Sequence, residues 1–227
     1  MSKNIECLQI AHGGGVDKYG NMKYNNVTRE QLLYSINNGF KLIEIDLSYV
    51  DNNVKVVHDK DCRELIKFED IIHIAVDNNV KFILDIKGNK IEFQKMLKLI
   101  DNYLEKYDAY KNFIIQVYNY SDIEYLSTLN SFKNVLIANW KNSPSEYEIN
   151  NIIEHCIKYK INIVGTSLWD EETRFYNIHI EDKYKYYRKK GIQLYVHGDG
   201  CDDIINVKKY LSRDIGIFSK LHFINNI

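Results

Sequence analysis

Short apolar runs alternate along the chain with segments whose apolar residues recur at helical spacing. The short runs predict β-strands and the amphipathic segments between them predict helices. Eight strands separated by helices can close a parallel barrel, so we predict an α/β fold, a (β/α)8 TIM barrel, with a doubly wound open sheet as the alternative. The predicted strands are Leu8–Ala11, Leu42–Leu47, Lys81–Ile86, Phe113–Val117, Val135–Ala138, Asn162–Gly165, Ile192–Val196 and Ile215–Phe218, and the helices begin near Thr28, Phe68, Ile91, Ser121, Ser145, Glu172 and Asp202.

Three of the helix starts carry capping signals. The segments Thr28–Gln31 and Ser121–Glu124 match the capping box, in which two side chains satisfy the first free N–H groups of a helix. Ser143 is followed by Pro144, which is favoured at the first helical position. These signals predict helices after the first, fourth and fifth strands.

One run breaks the alternation. Val54–His58 has the character of a strand, but only three residues separate it from the strand that ends near Val50. Three residues cannot form a parallel crossover, so we predict an antiparallel β-hairpin after strand two. With its turn centred at Asn52, this hairpin places Asp46 opposite His58 and brings an imidazole beside a carboxylate.

Strand two carries two acids on one face, because alternation places Glu44 and Asp46 on the same side. Buried carboxylates are costly unless a positive group compensates them, and a hard divalent cation is the simplest compensation. Asp85 ends strand three at the same mouth, so we predict that the three acids converge on one metal site. The alternative is pairing with Lys or Arg, and Lys87 is a candidate both for this counter-ion and for a phosphate ligand.

His12 ends strand one and is followed by Gly13–Gly15. These glycines let a ligand approach the backbone closely, or they form a flexible loop. A lone histidine at a strand end is ordinarily a hydrogen-bonded core residue, but the hairpin places His58 near the same carboxylates. Two histidines beside a metal suit phosphodiester cleavage, because one deprotonates the nucleophile while the other protonates the leaving oxygen.

The ordered motifs resemble those of the glycerophosphodiester phosphodiesterase family, whose wider group includes phosphatidylinositol-specific phospholipase C and sphingomyelinase D relatives. The resemblance spans nearly the whole chain. It is carried by His12–Gly14, Glu44–Asp46, Val56–Asp59 and Asp85–Lys87, with Gly191–His197 and Gly216–Ser219 similar to the last two strands.

The resemblance implies a metal-dependent phosphodiesterase acting on a small glycerophosphodiester. His12 and His58 are then the acid/base pair, and Lys87 lies beside the metal near the phosphate. The resemblance implies Mg²⁺ or Ca²⁺ as the metal, with Glu44, Asp46 and Asp85 as its ligands.

Gly13 and Asp85 are among the positions that depart from the family pattern. Gly13 stands where the family usually has Arg, so Lys87, Arg63 or an N–H of the glycine loop is expected to bind phosphate instead. Asp85 stands where the third ligand is usually Glu, and the short segment after His58 leaves little room for a subdomain that covers glycerol.

Further residues fall at or just after predicted strand ends, which face the mouth of a barrel. They are Gln116, Tyr118, Trp140, Trp169 and His197, for each of which rim packing is favoured over a substrate contact; Trp169 and His197 are the candidate substrate contacts.

Two alternatives to direct hydrolysis remain open. The first is a catalytically silent barrel that binds a phosphorylated ligand, suggested by Gly13 and Asp85. The second is a lyase-type reaction, in which a hydroxyl of the substrate attacks phosphorus and a cyclic phosphate is released. A metal-dependent amidohydrolase is disfavoured, because strand one lacks the His-x-His pair of such sites.

Composition narrows the class of partner. The formal net charge of −1, from 30 basic and 31 acidic residues, provides no long-range field for nucleic acid or an anionic membrane. The basic aromatic segment Tyr184–Lys190 is better explained as an amphipathic outer helix. No apolar stretch is long enough to span a bilayer, and the four scattered cysteines fit a reducing compartment. We therefore expect one cytoplasmic domain over residues 1–227, acting on a small molecule, with its oligomeric state left open.

Overall fold

The computed structural model describes residues 8–22, 26–61, 63, 66–129, 134–139, 145–167, 180–198, 201 and 203–219. The strands in these ranges are β1 (Gln9–Ala11), β2 (Leu42–Val50), β3 (Asn53–Lys55), β4 (Lys81–Lys87), β5 (Phe113–Val117), β6 (Val135–Asn139), β7 (Ile163–Ser167), β8 (Gln193–His197) and β9 (Gly216–Ser219). The helices are α1 (Arg29–Asn37), α2 (Phe68–Asp77), α3 (Lys90–Lys106), α4 (Tyr120–Thr128), α5 (Glu146–Tyr159), α6 (Ile180–Lys189) and α7 (Ile204–Leu211).

Eight parallel strands close into a ring. The first strand pairs with β9 on one side and with β2 on the other, so that Ala11 lies opposite both Ser219 and Ile43. One further strand, β3, pairs with β2 outside the ring. The predicted (β/α)8 barrel with a hairpin after strand two is confirmed, and the doubly wound open sheet is excluded because both edges of the sheet meet.

The apolar residues of the strands form two layers, as their alternation predicts. Outward-facing residues of β2 such as Ile43, Ile45 and Leu47 belong to the large cluster that packs under the helices. A smaller cluster fills the barrel interior, where burying each large side chain contributes about 1.5–3 kcal/mol. Its buried members are Ile10, Leu42, Ile83, Ile114, Leu136, Ala138, Tyr195 and Phe218.

The hairpin after β2 differs in register from the prediction. Ser48 pairs with Lys55, so the turn contains two residues, Asp51 and Asn52, and the ladder ends before His58. Both turn residues have positive φ, 52° and 61°, as a type I′ turn requires. The predicted three-residue turn was wrong, because Asp and Asn adopt the left-handed conformation and so shorten the turn.

The structure corrects one of the predicted helix caps. The fourth helix begins at Tyr120 with Asn119 as its N-cap, so Ser121 lies inside the helix. The fifth begins after Ser145, whose hydroxyl accepts a bond from the N–H of Glu148 in a reciprocal capping box. This agrees with the start predicted near Ser145, and the capping signal at Ser143 and Pro144 lies outside the described residues.

Three further expectations concern membrane-spanning helices, the cysteines and the helix predicted to start near Glu172. No helix within the described ranges has the length and apolarity needed to cross a bilayer. Cys156 and Cys201 are buried free thiols, as expected for scattered cysteines. The predicted helix start at Glu172 lies outside the described residues.

Candidate active site

A cavity of about 560 Å³ opens at the carboxyl ends of the barrel strands. This end of a parallel barrel is where side chains from several strands meet around a ligand. Gly13 and Arg63 do not line this cavity, Trp140 and Trp169 lie outside the described residues, and every other residue predicted for the site lines it. The lining consists of His12, Glu44, Asp46, His58, Asp59, Asp85, Lys87, Gln116, Tyr118, His197 and Phe218.

Three carboxylates converge at the bottom of the cavity. Glu44, Asp46 and Asp85 are each at most 5% exposed, and one oxygen of each lies within 4.8 Å of one from each of the other two. The register of the sheet produces this, since Asp46 and Asp85 are direct neighbours on β2 and β4. The predicted convergence is confirmed, and the role of these acids as metal ligands stays a prediction.

Lys87 forms two ion pairs with this cluster. Its Nζ lies 2.9 Å from Oδ1 of Asp46 and 2.6 Å from Oδ2 of Asp85. The predicted role of Lys87 as a counter-ion is therefore seen in the structure. One ammonium against three carboxylates leaves two negative charges uncompensated when all of these groups are ionised.

Burial and repulsion disfavour ionisation of two of these acids. Burial raises the pKa of Glu44 well above its usual value, and the charges of Asp46 and Asp85 raise it further. Burial also raises the pKa of Asp46, against the lowering effect of Lys87. Burial alone would lower the pKa of Lys87, but the two aspartates outweigh it and the pKa is raised. The positive charge of Lys87 therefore does not balance the negative charge that the three acids carry when ionised.

The cluster fits a hard divalent cation. One oxygen of each acid is engaged by the protein: Oε2 of Glu44 by the N–H of Gly13, Oδ1 of Asp46 by Lys87, and Oδ2 of Asp85 by Lys87 and Tyr118. Oδ1 of Asp85 is buried and accepts no hydrogen bond from any residue that the structure describes. An oxygen-only donor set with surplus negative charge suits Mg²⁺ or Ca²⁺.

The loop after β1 fixes the position of Glu44. The backbone N–H of Gly13 donates a hydrogen bond of 2.7 Å to Oε2 of Glu44. Gly13 has φ 57° and ψ 37°, a left-handed conformation in which glycine carries no steric penalty. The glycine at this position therefore serves the carboxylate directly, and sequence analysis did not anticipate this contact.

Two buried side chains of α1 fix the same loop. Nε2 of Gln31 donates to the carbonyl oxygens of Gly13 and Gly15 at 3.0 and 2.8 Å, and Oγ of Ser35 donates to that of Gly14 at 2.8 Å. A Cβ on Gly15 would lie only 2.1 Å from Oγ of Ser35. The glycine loop is therefore packed tightly against α1, and the alternative of a flexible loop does not hold.

His12 lies over the carboxylate cluster. Its Nε2 is 3.8 Å from Oε2 of Glu44. Its ring meets that of His197 edge to face, with 4.3 Å between the centroids, and Phe218 lies against both rings. The ends of strands β1, β8 and β9 thus bring two histidines together; the sequence placed both at the mouth, with His197 as a candidate substrate contact, but did not predict that their rings meet.

His58 reaches the cavity from beyond the hairpin ladder. Oγ of Ser48 donates to the carbonyl oxygens of Val57 and His58, which ties this segment to β2. Nδ1 of His58 lies 2.8 Å from Oδ1 of Asp59, and His58 lines the same cavity as Asp46. The structure therefore brings His58 and Asp46 to one cavity, although the ladder pairing that predicted their nearness was wrong.

Tyr118 and Gln116 contribute more to the site than rim packing. Oη of Tyr118 donates to Oδ2 of Asp85 at 2.6 Å, and Nε2 of Gln116 donates to Oη of Tyr118 at 2.7 Å. The parallel register places Gln116 beside Asp85, so this chain of bonds connects β5 to β4. Sequence analysis located both residues at the mouth without identifying the bond to the acid.

The comparisons with known proteins agree with this fold. No protein-family model and no curated protein sequence matches the chain. A glycerophosphodiester phosphodiesterase from Parabacteroides distasonis superposes with a TM-score of 0.70 at 15% identity, over 93% of this chain and 92% of that chain. One from Agrobacterium tumefaciens gives a TM-score of 0.61 at 11% identity, over 94% and 96%.

A third similar structure contains a bound product. An Oleispira antarctica phosphodiesterase in complex with sn-glycerol-3-phosphate superposes with a TM-score of 0.63 at 12% identity, over 93% of this chain and 92% of that chain. Identities this low show a shared fold alone. The resemblance indicated by the motifs is thus confirmed at the level of the fold.

Proposed function

We propose that the protein is a metal-dependent hydrolase of small phosphodiesters of the glycerophosphodiester type. The observation that carries this proposal is the meeting of three buried carboxylates and two histidines, His12 and His58, in one cavity. The fold shared with phosphodiesterases supports the same reaction class.

The acids Glu44, Asp46 and Asp85 would bind the cation, Mg²⁺ or Ca²⁺. Such an ion supplies Lewis acidity toward a phosphoryl oxygen and stabilises the charge that develops there. A divalent ion also carries the two positive charges that the cluster lacks beside Lys87. Lys87 remains near enough to attract a phosphate, because its side chain is partly exposed to the cavity.

His12 and His58 would move the protons. One imidazole takes a proton from water as the water oxygen bonds to phosphorus, and the other gives a proton to the alcohol oxygen as its bond to phosphorus breaks. Asp59, which bonds to Nδ1 of His58, would orient that ring. The products are a phosphomonoester and a free alcohol.

The substrate would be a small molecule, since a cavity of about 560 Å³ is of the size that takes ligands of that class. Lys87, Gly13, His197 and Trp169 are proposed to contact it, Trp169 from its position in the sequence alone. Free buried thiols at Cys156 and Cys201 support the cytoplasm as the compartment.

Phosphorus NMR of the protein with sn-glycero-3-phosphocholine tests the proposal. We expect a glycerol phosphate signal to appear with Mg²⁺ or Ca²⁺ and to be absent with a chelator. A cyclic phosphate would establish the lyase-type alternative in place of hydrolysis. Calorimetric binding of the diester without turnover, across both metals, would identify a silent phosphoester-binding barrel and contradict the proposal.

A further inference from the structure

One oxygen of Asp85 is held from two sides. Oδ2 accepts a bond of 2.6 Å from Oη of Tyr118 and another of 2.6 Å from Nζ of Lys87. The other oxygen, Oδ1, is buried and has no hydrogen-bond partner in the part of the chain that the structure describes. The carboxylate is therefore oriented with a single oxygen left for another ligand.

The hydroxyl of Tyr118 is itself directed. Tyr118 is 41% exposed, so its hydroxyl could turn toward water. Gln116, which is 2% exposed, donates from Nε2 to that hydroxyl oxygen and leaves its proton to point at Asp85. A buried amide that orients an exposed phenol is a costly arrangement for packing alone, because Oε1 of Gln116 is buried with no partner among the described residues.

We propose that Tyr118, directed by Gln116, is a positioning residue that restricts Asp85 to coordination through one oxygen. The inference rests on the proposed metal site and adds a consequence for ion choice. Ca²⁺ accepts carboxylates through one or both oxygens and takes six to eight ligands, whereas Mg²⁺ requires near-octahedral geometry with single oxygens. Holding Oδ2 away from the ion thus favours Mg²⁺ relative to Ca²⁺.

The test is Tyr118→Phe in the full chain, titrated by calorimetry with Mg²⁺ and separately with Ca²⁺. We expect the Kd for Mg²⁺ to rise about 10- to 100-fold, as when other hydrogen bonds to metal ligands are removed. The Kd for Ca²⁺ should rise less, because Oδ2, held then by Lys87 alone, can shift to join its coordination. The ratio of the two constants is a readout that general loosening of the fold would not change.

Tyr110→Phe is the matched control. The hydroxyl of Tyr110 donates to Oδ1 of Asp101 at 2.7 Å, a bond of the same kind far from the cavity. This variant should leave both dissociation constants unchanged. A second variant, Gln116→Leu, removes the group that directs Tyr118, so it should move the Mg²⁺ to Ca²⁺ ratio in the same direction by a smaller factor.

The outcomes separate the two proposals. An unchanged Mg²⁺ constant in Tyr118→Phe, an equal weakening for both ions, or a change matched by Tyr110→Phe would overturn the positioning role alone. No binding of either ion by the unaltered protein would overturn the metal site and, with it, this inference.

Discussion

The N–H of Gly13 and the carboxylate of Glu44 form a hydrogen bond of 2.7 Å that joins the loop after β1 to the acid of β2. The bond lowers the pKa of Glu44, against the larger raising effect of burial. A backbone N–H thus stabilises the ionised form of this carboxylate, as a cationic side chain would. The site is consequently sensitive to any change that displaces the loop.

Replacing either histidine should abolish most turnover. His12→Ala and His58→Ala should each lower kcat by about 10²- to 10⁴-fold, the usual contribution of a general acid or base. The measurement is initial-rate kinetics on the glycerophosphodiester, with His73→Ala as the control because its ring packs on Tyr107 outside the cavity. Turnover retained in both variants would contradict the proposed proton transfers.

The acid cluster should make stability depend on pH. The folded protein binds the Glu44 proton more tightly than the unfolded chain does, because the pKa is raised. The stability that this proton contributes is full below about pH 4.5, the ordinary pKa of Glu, and is lost as pH rises toward the folded value. Relative to Glu44→Gln, the unaltered protein should therefore lose at most about 1.4 kcal/mol per pH unit above that point.

Urea denaturation in chelator from pH 4.5 upward measures this difference. Added Mg²⁺ should reduce the slope, since a bound cation compensates the ionised acids that otherwise take up protons. A difference between the two proteins that stays constant across pH would show that the Glu44 proton does not contribute.

Removing the ammonium of Lys87 should destabilise the metal-free protein. Lys87→Met leaves Asp46 and Asp85 without the two ion pairs of 2.9 and 2.6 Å. We expect a loss of about 1–3 kcal/mol, below the full value for a buried pair because Lys87 is partly exposed and the acids can protonate. Thermal unfolding with and without Mg²⁺ should show a larger stabilisation by the ion in Lys87→Met than in Lys87→Arg, which keeps the charge. Equal stabilisation would argue against a shared site.

Crowding of the glycine loop against α1 can be measured with two alanines. Gly15 and Gly20 have nearly the same φ, 81° and 80°, but only Gly15 meets a neighbour, Oγ of Ser35, where its Cβ would lie. Gly15→Ala should therefore cost about 1–3 kcal/mol more than Gly20→Ala in the free energy of unfolding. Equal losses would mean that backbone conformation accounts for the whole effect.

Much of the barrel and the acid cluster follows from local pattern. Alternation alone put Glu44 and Asp46 on one face, and strand ends put Asp85 at the same mouth, because parallel strands of a barrel share one end. The hairpin could be predicted but not its register. The sequence around Asn52 offers several residues that accept positive φ, and the choice among them depends on pairing energies that the pattern does not contain.

The contacts that orient the acids were beyond the reach of the sequence. Tyr118 is 33 residues from Asp85, and Gln31 is 18 residues from Gly13, so each contact depends on how whole elements pack. Nothing local distinguishes a glutamine that bonds a loop carbonyl from one that only caps a helix. Thr28–Gln31 illustrates this, since Thr28 accepts the N–H of Gln31 as predicted while the Gln31 side chain turns to the loop instead.

The bonds from Gln31 and Ser35 to the glycine loop connect α1 to the candidate active site. A helix on the outside of a barrel ordinarily tolerates exchange, yet these two positions, one turn apart, can change only together with the glycines they bind. Transfer of this site to another protein by design would therefore require the loop Gly13–Gly15 together with the face of α1 that carries Gln31 and Ser35. Directed evolution of the chain should likewise find its correlated substitutions there rather than among the acids alone.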